Sequence, residues 1–416
     1  LKIRFIFPDL TCPPENGMHE QFLVLMRQLH LAGHSVEAIG GIRDSKLFDV
    51  ERATRETGAS FVVMPLPKGL SLTALAALNF TRLGVFVYPR LYFQFRRALR
   101  GGSANVVHCD GAAICALRRH GDESPVVLSL VDPGSLRQAR MGAKTSGRQK
   151  KFVHWVAARM YAQLEGRLTR EPRNVLHVVS AADAAYLRRG TGLATVRSVP
   201  VMLPPKVATG DESTAKHEQQ GRKMTIWADL TQGHQQDAVK DLLTLGFQPL
   251  SNVLHNEGIH IVVLGRAPAT PALVEAAEGL PCVFVDWVTD LQAALSSSDV
   301  ILLPDTVGTG LKNRSIQALG SGACAVGTTV AFEGTDVLDG IHAVVRNAPH
   351  MLAESALALT VESHAHRAAL SQAARKFVDA NYSPEGVLDQ WVELYREAMH
   401  LAEQYGQGSP PRQSVV

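Results

Sequence analysis

The fold is decided by "VILLPDTVGTGLKNRSIQALGSGACAVGT", residues 300–328. An apolar run of strand length stops at Pro304, and a loop carrying Gly308 and Gly310 follows directly. A helix reads from near Leu311 through Leu319, because Leu311, Ser315, Ala318 and Leu319 share one face. "GSGACAVGT" then turns tightly into a second strand. Strand, glycine loop, helix and strand in that order are the unit of a parallel α/β sheet. Glycines ahead of a helix let backbone N–H groups converge on an anion, and the helix N-terminus adds partial positive charge. Lys312 and Arg314 stand where they would finish neutralising a diphosphate. Cations at a helix start oppose its dipole, so a negative group should offset them.

The same unit recurs outward in both directions. The chain opens with the strand "IRFIFP", a polar loop, and a helical run in which Phe22, Leu25, Met26 and Leu29 repeat until Gly33. "SFVVMPL", "NVVHCDG", "VVLSLV" and "NVLHVVS" read as further strands, the last followed by a helix capped at Ser180. Residues 206–223 are the most polar unbroken segment before the C-terminal tail and read as a linker or domain-boundary loop, after which "MTIWADL", "IHIVVLG" and "CVFVDWV" restart the alternation. The expected architecture is two Rossmann-like, doubly wound α/β domains, 1–203 and 224–382, facing a cleft at their strand C-termini. Residues 383–403 form a helix that should pack back toward the N-terminal domain, and 404–416 read as a frayed tail.

Bulk properties narrow the class. A chain of 416 residues suits two domains, and 46% hydrophobic with 19% charged residues is an ordinary globular composition. No window holds the roughly 18 apolar residues of a membrane span, and the first residues read as a strand, not a leader. Five scattered cysteines, without metal-ligand spacing, suit a reducing cytoplasm and a packing role. Charge is uneven: residues 1–203 carry 28 Lys/Arg against 15 Asp/Glu, and the remainder 14 against 24. The first half should therefore face an acidic partner, such as a phosphate-bearing acceptor or an anionic membrane surface.

Neither the Walker pattern nor the GxGxxG dinucleotide fingerprint is present. The segment "VILLPDTVGTGLKNRSIQALGSGACAVGTTVAFEGTDVLDGIHAVV", its approach "VFVDWVTDLQAALSSSDVILLP" and the opening "RFIFPDLTCPPENGMHEQFLVLMRQLHLAGHSVEAI" together resemble the retaining GT-B glycosyltransferases. The resemblance covers the first 40 residues and most of 224–400, and little of 70–175. It implies a nucleoside-diphosphate sugar bound by the second domain and an acceptor held by the first. The implied reaction is transfer of a hexosyl-type sugar to a polysaccharide, glycolipid or small molecule.

The resemblance makes Gly310, Leu311 and Lys312 diphosphate contacts, with Arg314 beside them. It places Glu333, Gly334 and Thr335 near the donor pocket, and makes Gly17 and Met18 a loop that approaches the sugar from the other domain. The two glutamates that the group commonly carries eight positions apart read here as Thr309 and Gln317. Gln317 would give the ribose a neutral amide, which accepts from one hydroxyl and donates to another without the charge-assisted bond. Thr309 would offer the sugar one hydroxyl. A basic pair usual after the first strand of the second domain is missing from "WADLTQGHQQDA".

Chemistry requires that the departing diphosphate and an oxocarbenium-like centre be stabilised with water excluded. Lys312 serves the first need. Asp132 and then His108, both read at strand ends, are the candidates beside the sugar; Asp110 and His19 are candidate acceptor contacts, and His19 could equally meet the donor. No metal is expected, since no Asp-x-Asp follows a strand, and no cofactor beyond the donor substrate, UDP-linked ahead of GDP-linked. The acid-free stretch 79–102 either lies against lipid headgroups or buries its aromatics and solvates its arginines. No nucleic-acid module accompanies it. The expected location is cytoplasmic, with peripheral contact at the inner face of the membrane. Thr309 and Gln317 motivate an alternative, a degenerate homologue acting as partner or scaffold. A sugar-nucleotide epimerase is a third reading.

Overall fold

The computed structural model describes residues 1–14, 17–66, 69, 71–189, 192–203, 222–361 and 364–406. The segment read as the linker lies outside them through residue 221, as does the tail from residue 407. Backbone proximity divides the chain into two compact units, Leu1–Pro204 with Pro384–Val416, and Pro205–Ser383.

The first unit holds seven parallel strands: β1 (Lys2–Phe7), β2 (Ser35–Ile42), β3 (Ser60–Pro65), β4 (Val106–Asp110), β5 (Val126–Val131), β6 (Asn174–Val178) and β7 (Thr195–Ser198). Their order is β3-β2-β1-β4-β5-β6-β7, so the direction of winding reverses between β1 and β4. Central strands such as "VVHCD" and "NVLHV" are buried at every position, as parallel strands covered on both faces must be. The covering helices are α1 (Gly17–Leu31), α2 (Val50–Thr57), α3 (Leu72–Thr81), α4 (Gly84–Val87), α5 (Pro89–Leu99), α6 (Gly111–Cys115), α7 (Gly134–Lys144), α8 (Arg148–Thr169) and α9 (Ala181–Arg188).

The second unit holds six parallel strands: β8 (Lys223–Trp227), β9 (His260–Leu264), β10 (Cys282–Val285), β11 (Val300–Leu303), β12 (Cys324–Gly327) and β13 (Val344–Val345). Their order, β10-β9-β8-β11-β12-β13, reverses between β8 and β11. Its helices are α10 (Gly233–Asp241), α11 (Ser251–Asn256), α12 (Pro271–Ala276), α13 (Leu291–Ser296), α14 (Asn313–Ser321), α15 (Pro349–Val361) and α16 (His364–Tyr382). The last described helix, α17 (Pro384–Gly406), belongs to the first unit.

There, Val387, Trp391, Leu394, Tyr395 and Ala398 of α17 join one core with Phe5, Phe7, Phe22 and Met26. This packing corrects the placement of His108. It lies inside β4, not at its end, and is wholly buried. Its ring sits 4.7 Å from Phe5 and 5.1 Å from Trp391, and its Nδ1 is 2.9 Å from the Tyr395 hydroxyl. Burial first, and then neighbouring His177, holds its pKa well below the usual histidine range. A neutral imidazole sealed under α17 cannot reach a sugar. Its part is to pack.

Trp391 is the hub of that contact, with the His177 ring also 4.4 Å away. Truncation to Ala should remove about 3–5 kcal/mol of stability from the first unit. Urea unfolding followed by circular dichroism checks this, and a loss under about 1 kcal/mol would mean that α17 contributes little to the core.

Candidate functional site

In open parallel sheets, ligands bind beyond the strand C-termini where the winding reverses. In the second unit that crevice lies between the loops after β8 and β11, and the second of these is the stretch beginning at Pro304. Gly310 has φ +65°, a left-handed conformation that favours glycine. A Cβ on Gly308 would stand 2.9 Å from Lys312 Cε, so a side chain there would displace the end of that lysine.

The helix begins at Asn313, with Lys312 as its cap residue in extended conformation. Lys312 Nζ donates to the Gly310 carbonyl at 3.2 Å and to that of Val330 at 2.5 Å. Ser315 Oγ donates to the Ala331 carbonyl. These bonds tie the glycine loop and the start of α14 to the turn that continues through Glu333, Gly334 and Thr335. Gly334 has φ +80°, and Thr335 Oγ1 donates back to the Phe332 carbonyl at 2.7 Å. Thr309, Gln317, Glu333 and Thr335 are all half-buried, and Gly310 and Leu311 are buried. The structure therefore gathers the residues assigned to the donor within this unit around one helix start.

Arg314 is placed differently from its expected part. Its Nη2 donates to Asp305 Oδ1 at 2.7 Å and its Nη1 to Gln235 Oε1 at 3.2 Å, while Gln235 Nε2 donates to the same Asp305 oxygen at 2.7 Å. The three side chains close a ring across the crevice, joining α10, the β11 loop and α14. Asp305 is almost wholly buried, and its Oδ2 has no hydrogen-bond partner among the described residues. This carboxylate is the negative group that the cations of the helix start require. Arg314 is held as its counter-ion. Beside the ring, His234 opens α10 with its pKa lowered, by burial first, although Asp305 pulls the other way. Sequence reasoning missed Asp305, Gln235 and His234. The signal was an Asp directly after the strand-ending Pro304.

In the first unit the reversal lies between β1 and β4. Gly17 and Met18 form the first turn of α1, not a loop, and residues 15 and 16 lie outside the described set. His19 is buried, its Nδ1 2.7 Å from Thr11 Oγ1. Asp110 ends β4 and is also buried, with Oδ1 unpartnered among the described residues. Desolvation raises its pKa to about 8, against a smaller lowering by the Gly111 N–H. At neutral pH it is a carboxylic acid that can donate a hydrogen bond.

On the neighbouring strand, Asp132 follows β5 beyond a break in register at Ser129–Val131. Val131 has φ +66°, a conformation rare for a β-branched side chain, and Asp132 N closes the turn onto Leu130 O at 2.8 Å. Asp132 Oδ1 accepts from Arg137 Nη1 at 2.9 Å. Local strain fixes where this carboxylate emerges. The stretch 79–102 divides its side chains: Tyr88, Tyr92 and Phe95 are core, whereas Phe86 and Phe93 are exposed with Arg90 and Arg97.

Two outcomes follow from the buried carboxyls. Arg314→Ala strands Asp305 without its counter-ion and should cost about 3–5 kcal/mol. Thermal unfolding reads this, and an unchanged midpoint would show that the ring carries no strain of charge. For Asp110 the folded pKa exceeds the unfolded value, so wild type loses stability as pH rises from about 4 to about 8. Asp110→Asn should therefore gain on wild type across that window and stop gaining above it. Urea midpoints at pH 5.5, 7 and 8.5 test the sign.

With this geometry in hand, likeness to known proteins can be stated. Residues 232–361 match the family model "Glycosyl transferases group 1", a segment that contains Gln235, Asp305 and all of α14. No curated protein matches the chain in sequence. Its fold is similar to that of HepE from Anabaena in complex with UDP, at 13% identity and TM-score 0.65, over 95% of this chain and 100% of that one. Sucrose-phosphate synthase from Thermosynechococcus elongatus is similar at 15% identity and TM-score 0.67, over 96% and 100%. WaaG, a glycosyltransferase involved in lipopolysaccharide biosynthesis, is similar at 14% and 0.65, over 93% and 99%. The chain thus has the GT-B fold of two Rossmann-like α/β domains, and within it residues 232–361 match the glycosyl transferases group 1 model.

Proposed function

We propose that this protein is a glycosyltransferase that moves a hexosyl-type sugar from a nucleoside-diphosphate donor to a carbohydrate, glycolipid or small-molecule acceptor, with retention. The observation that carries the reading is the glycine loop and start of α14 at the winding reversal, inside the segment matched to glycosyl transferases group 1. HepE, a structural relative, is described in complexes with UDP, with UDP-glucose, and with UDP and glucose, which supports a UDP-linked donor here.

In this proposal the diphosphate takes the helix start and the Lys312 ammonium, and the ring around Asp305 holds that start rigid. Lys312 bears on the chemical step because charge builds on the diphosphate as it leaves. Gln317 takes the ribose hydroxyls, Thr309 the sugar, and Glu333 to Thr335 border them. Asp132 and Asp110, ending neighbouring strands of the first unit, serve the acceptor and the sugar undergoing transfer, with Gly17, Met18 and His19 on the other side of the same reversal. The excess of basic residues in 1–203 suits a phosphate-bearing or membrane-associated acceptor on the cytoplasmic face.

A scaffold reading has one observation in its favour: the cations at the helix start are already bonded, Lys312 to two carbonyls and Arg314 to Asp305. Calorimetry separates the two. The transferase reading expects UDP or GDP to bind, Lys312→Ala to weaken diphosphate binding about ten- to a hundredfold, and the free nucleoside to be almost unaffected. Gln317→Ala should weaken nucleoside and nucleotide alike. Asp132→Asn should retain donor binding and lose turnover. No binding of any nucleotide to the folded wild type would support the scaffold, and unchanged UDP affinity in Lys312→Ala would remove Lys312 from the site.

A further inference from the structure

The first unit carries a surface that neither the donor site nor the fold uses. In α8, burial begins at Ala157 and continues through Tyr161, Leu164, Glu165 and Leu168, which pack onto the sheet. The turns before it hold four large apolar side chains in solvent: Phe152 is 62% exposed, Val153 64%, Trp155 55% and Val156 45%. Phe152 and Trp155 stack with ring centres 5.9 Å apart, and the Arg159 guanidinium lies 5.1 Å over the Trp155 ring. That ladder lies at the surface, on side chains that are not part of the buried core.

Charge selects its occupant. Between Asp132 and Glu165 there is no acidic residue, and the interval contains seven Lys/Arg. Four of them, Arg148, Lys150, Lys151 and Arg159, are exposed on α8 among the aromatics. Helices that join Phe and Trp to Lys and Arg in this way bury the rings at the headgroup boundary while the cations meet anionic lipids. A protein partner of ordinary polarity would not call for an interval with no carboxylate at all.

We propose that the N-terminal half of α8 is a membrane-docking surface, seating Phe152, Trp155 and their flanking cations in an anionic lipid bilayer. Among the described residues no helix is long and apolar enough to cross a membrane, so the contact would be peripheral. The proposal extends the reading of a membrane-associated acceptor but does not depend on the donor chemistry. Vesicle binding is measured without nucleotide, so its failure leaves the transferase reading intact, and the reverse also holds.

The test is co-sedimentation of the full chain with vesicles of phosphatidylcholine alone and of phosphatidylcholine with about one-third phosphatidylglycerol. Binding is expected only to the second, and raising NaCl from 0.1 to 0.5 M should weaken it several-fold. The double variant F152S/W155S should lower the partition coefficient about tenfold or more, and K150E/K151E by a similar factor. Their circular dichroism and thermal midpoints should match wild type, because these side chains support no core. A blue shift of tryptophan emission with anionic vesicles, lost in W155F, reports insertion directly. Equal binding of wild type and both variants would overturn the proposal. So would binding lost instead in F86S/F93S of α4 and α5, or a dimer in sedimentation velocity that F152S/W155S dissolves while vesicles are ignored.

Discussion

A parallel strand with both faces covered can offer solvent only its two ends, and that constraint organises the candidate site of each unit. Each sheet spends its side chains on core, so polar chemistry is pushed to the loops at the strand C-termini. Where the winding reverses, between β1 and β4 and between β8 and β11, two such loops diverge and leave a crevice. Every polar group central to the proposed activity sits at one of those two reversals or on the strand beside it. Asp110 ends β4 and Asp132 follows the neighbouring β5 of one sheet, and Asp305 lies two residues past the end of β11 in the other.

Buried carboxyls at such positions meet different fates. Asp305 is kept company by a guanidinium and an amide, and through them it locks α10 and α14 together. A buried ion pair of this type adds little net stability over an apolar replacement, but removing one partner is costly, so it serves to fix geometry. Asp110 has no such cation, and burial leaves it protonated at neutral pH. The fold thus holds a paired carboxylate beside the glycine loop of the second unit and an unpaired, proton-bearing carboxyl at the end of β4 in the first.

The alternation of apolar runs and glycine loops was legible in the residues, because periodicity and turn chemistry are local properties. The glycine loop at 308–310 and the helix after it read directly, as did the stripe of Phe22, Leu25, Met26 and Leu29. Side-chain destinations did not read, since they depend on what lies across space. His108 looked like a strand-end imidazole, but its neighbour Tyr395 comes from 287 positions away. Arg314 looked available to a ligand until Asp305 and Gln235 closed around it. The exposed half of α8 was missed for the same reason: Phe152 and Trp155 have the composition of a core helix, and only the fold leaves them without one.

The central claim is that the loop and helix start at 305–317 recognise the diphosphate of a nucleotide. Hydrogen–deuterium exchange read by mass spectrometry, on the full chain with saturating UDP, with uridine at the same concentration and with neither, addresses it directly. The account expects UDP to slow exchange in peptides spanning 305–317 and 328–335, with uridine leaving the 308–314 amides almost as they are in the free protein. Slowed exchange elsewhere in the second unit, with 305–317 unchanged by UDP, would contradict it.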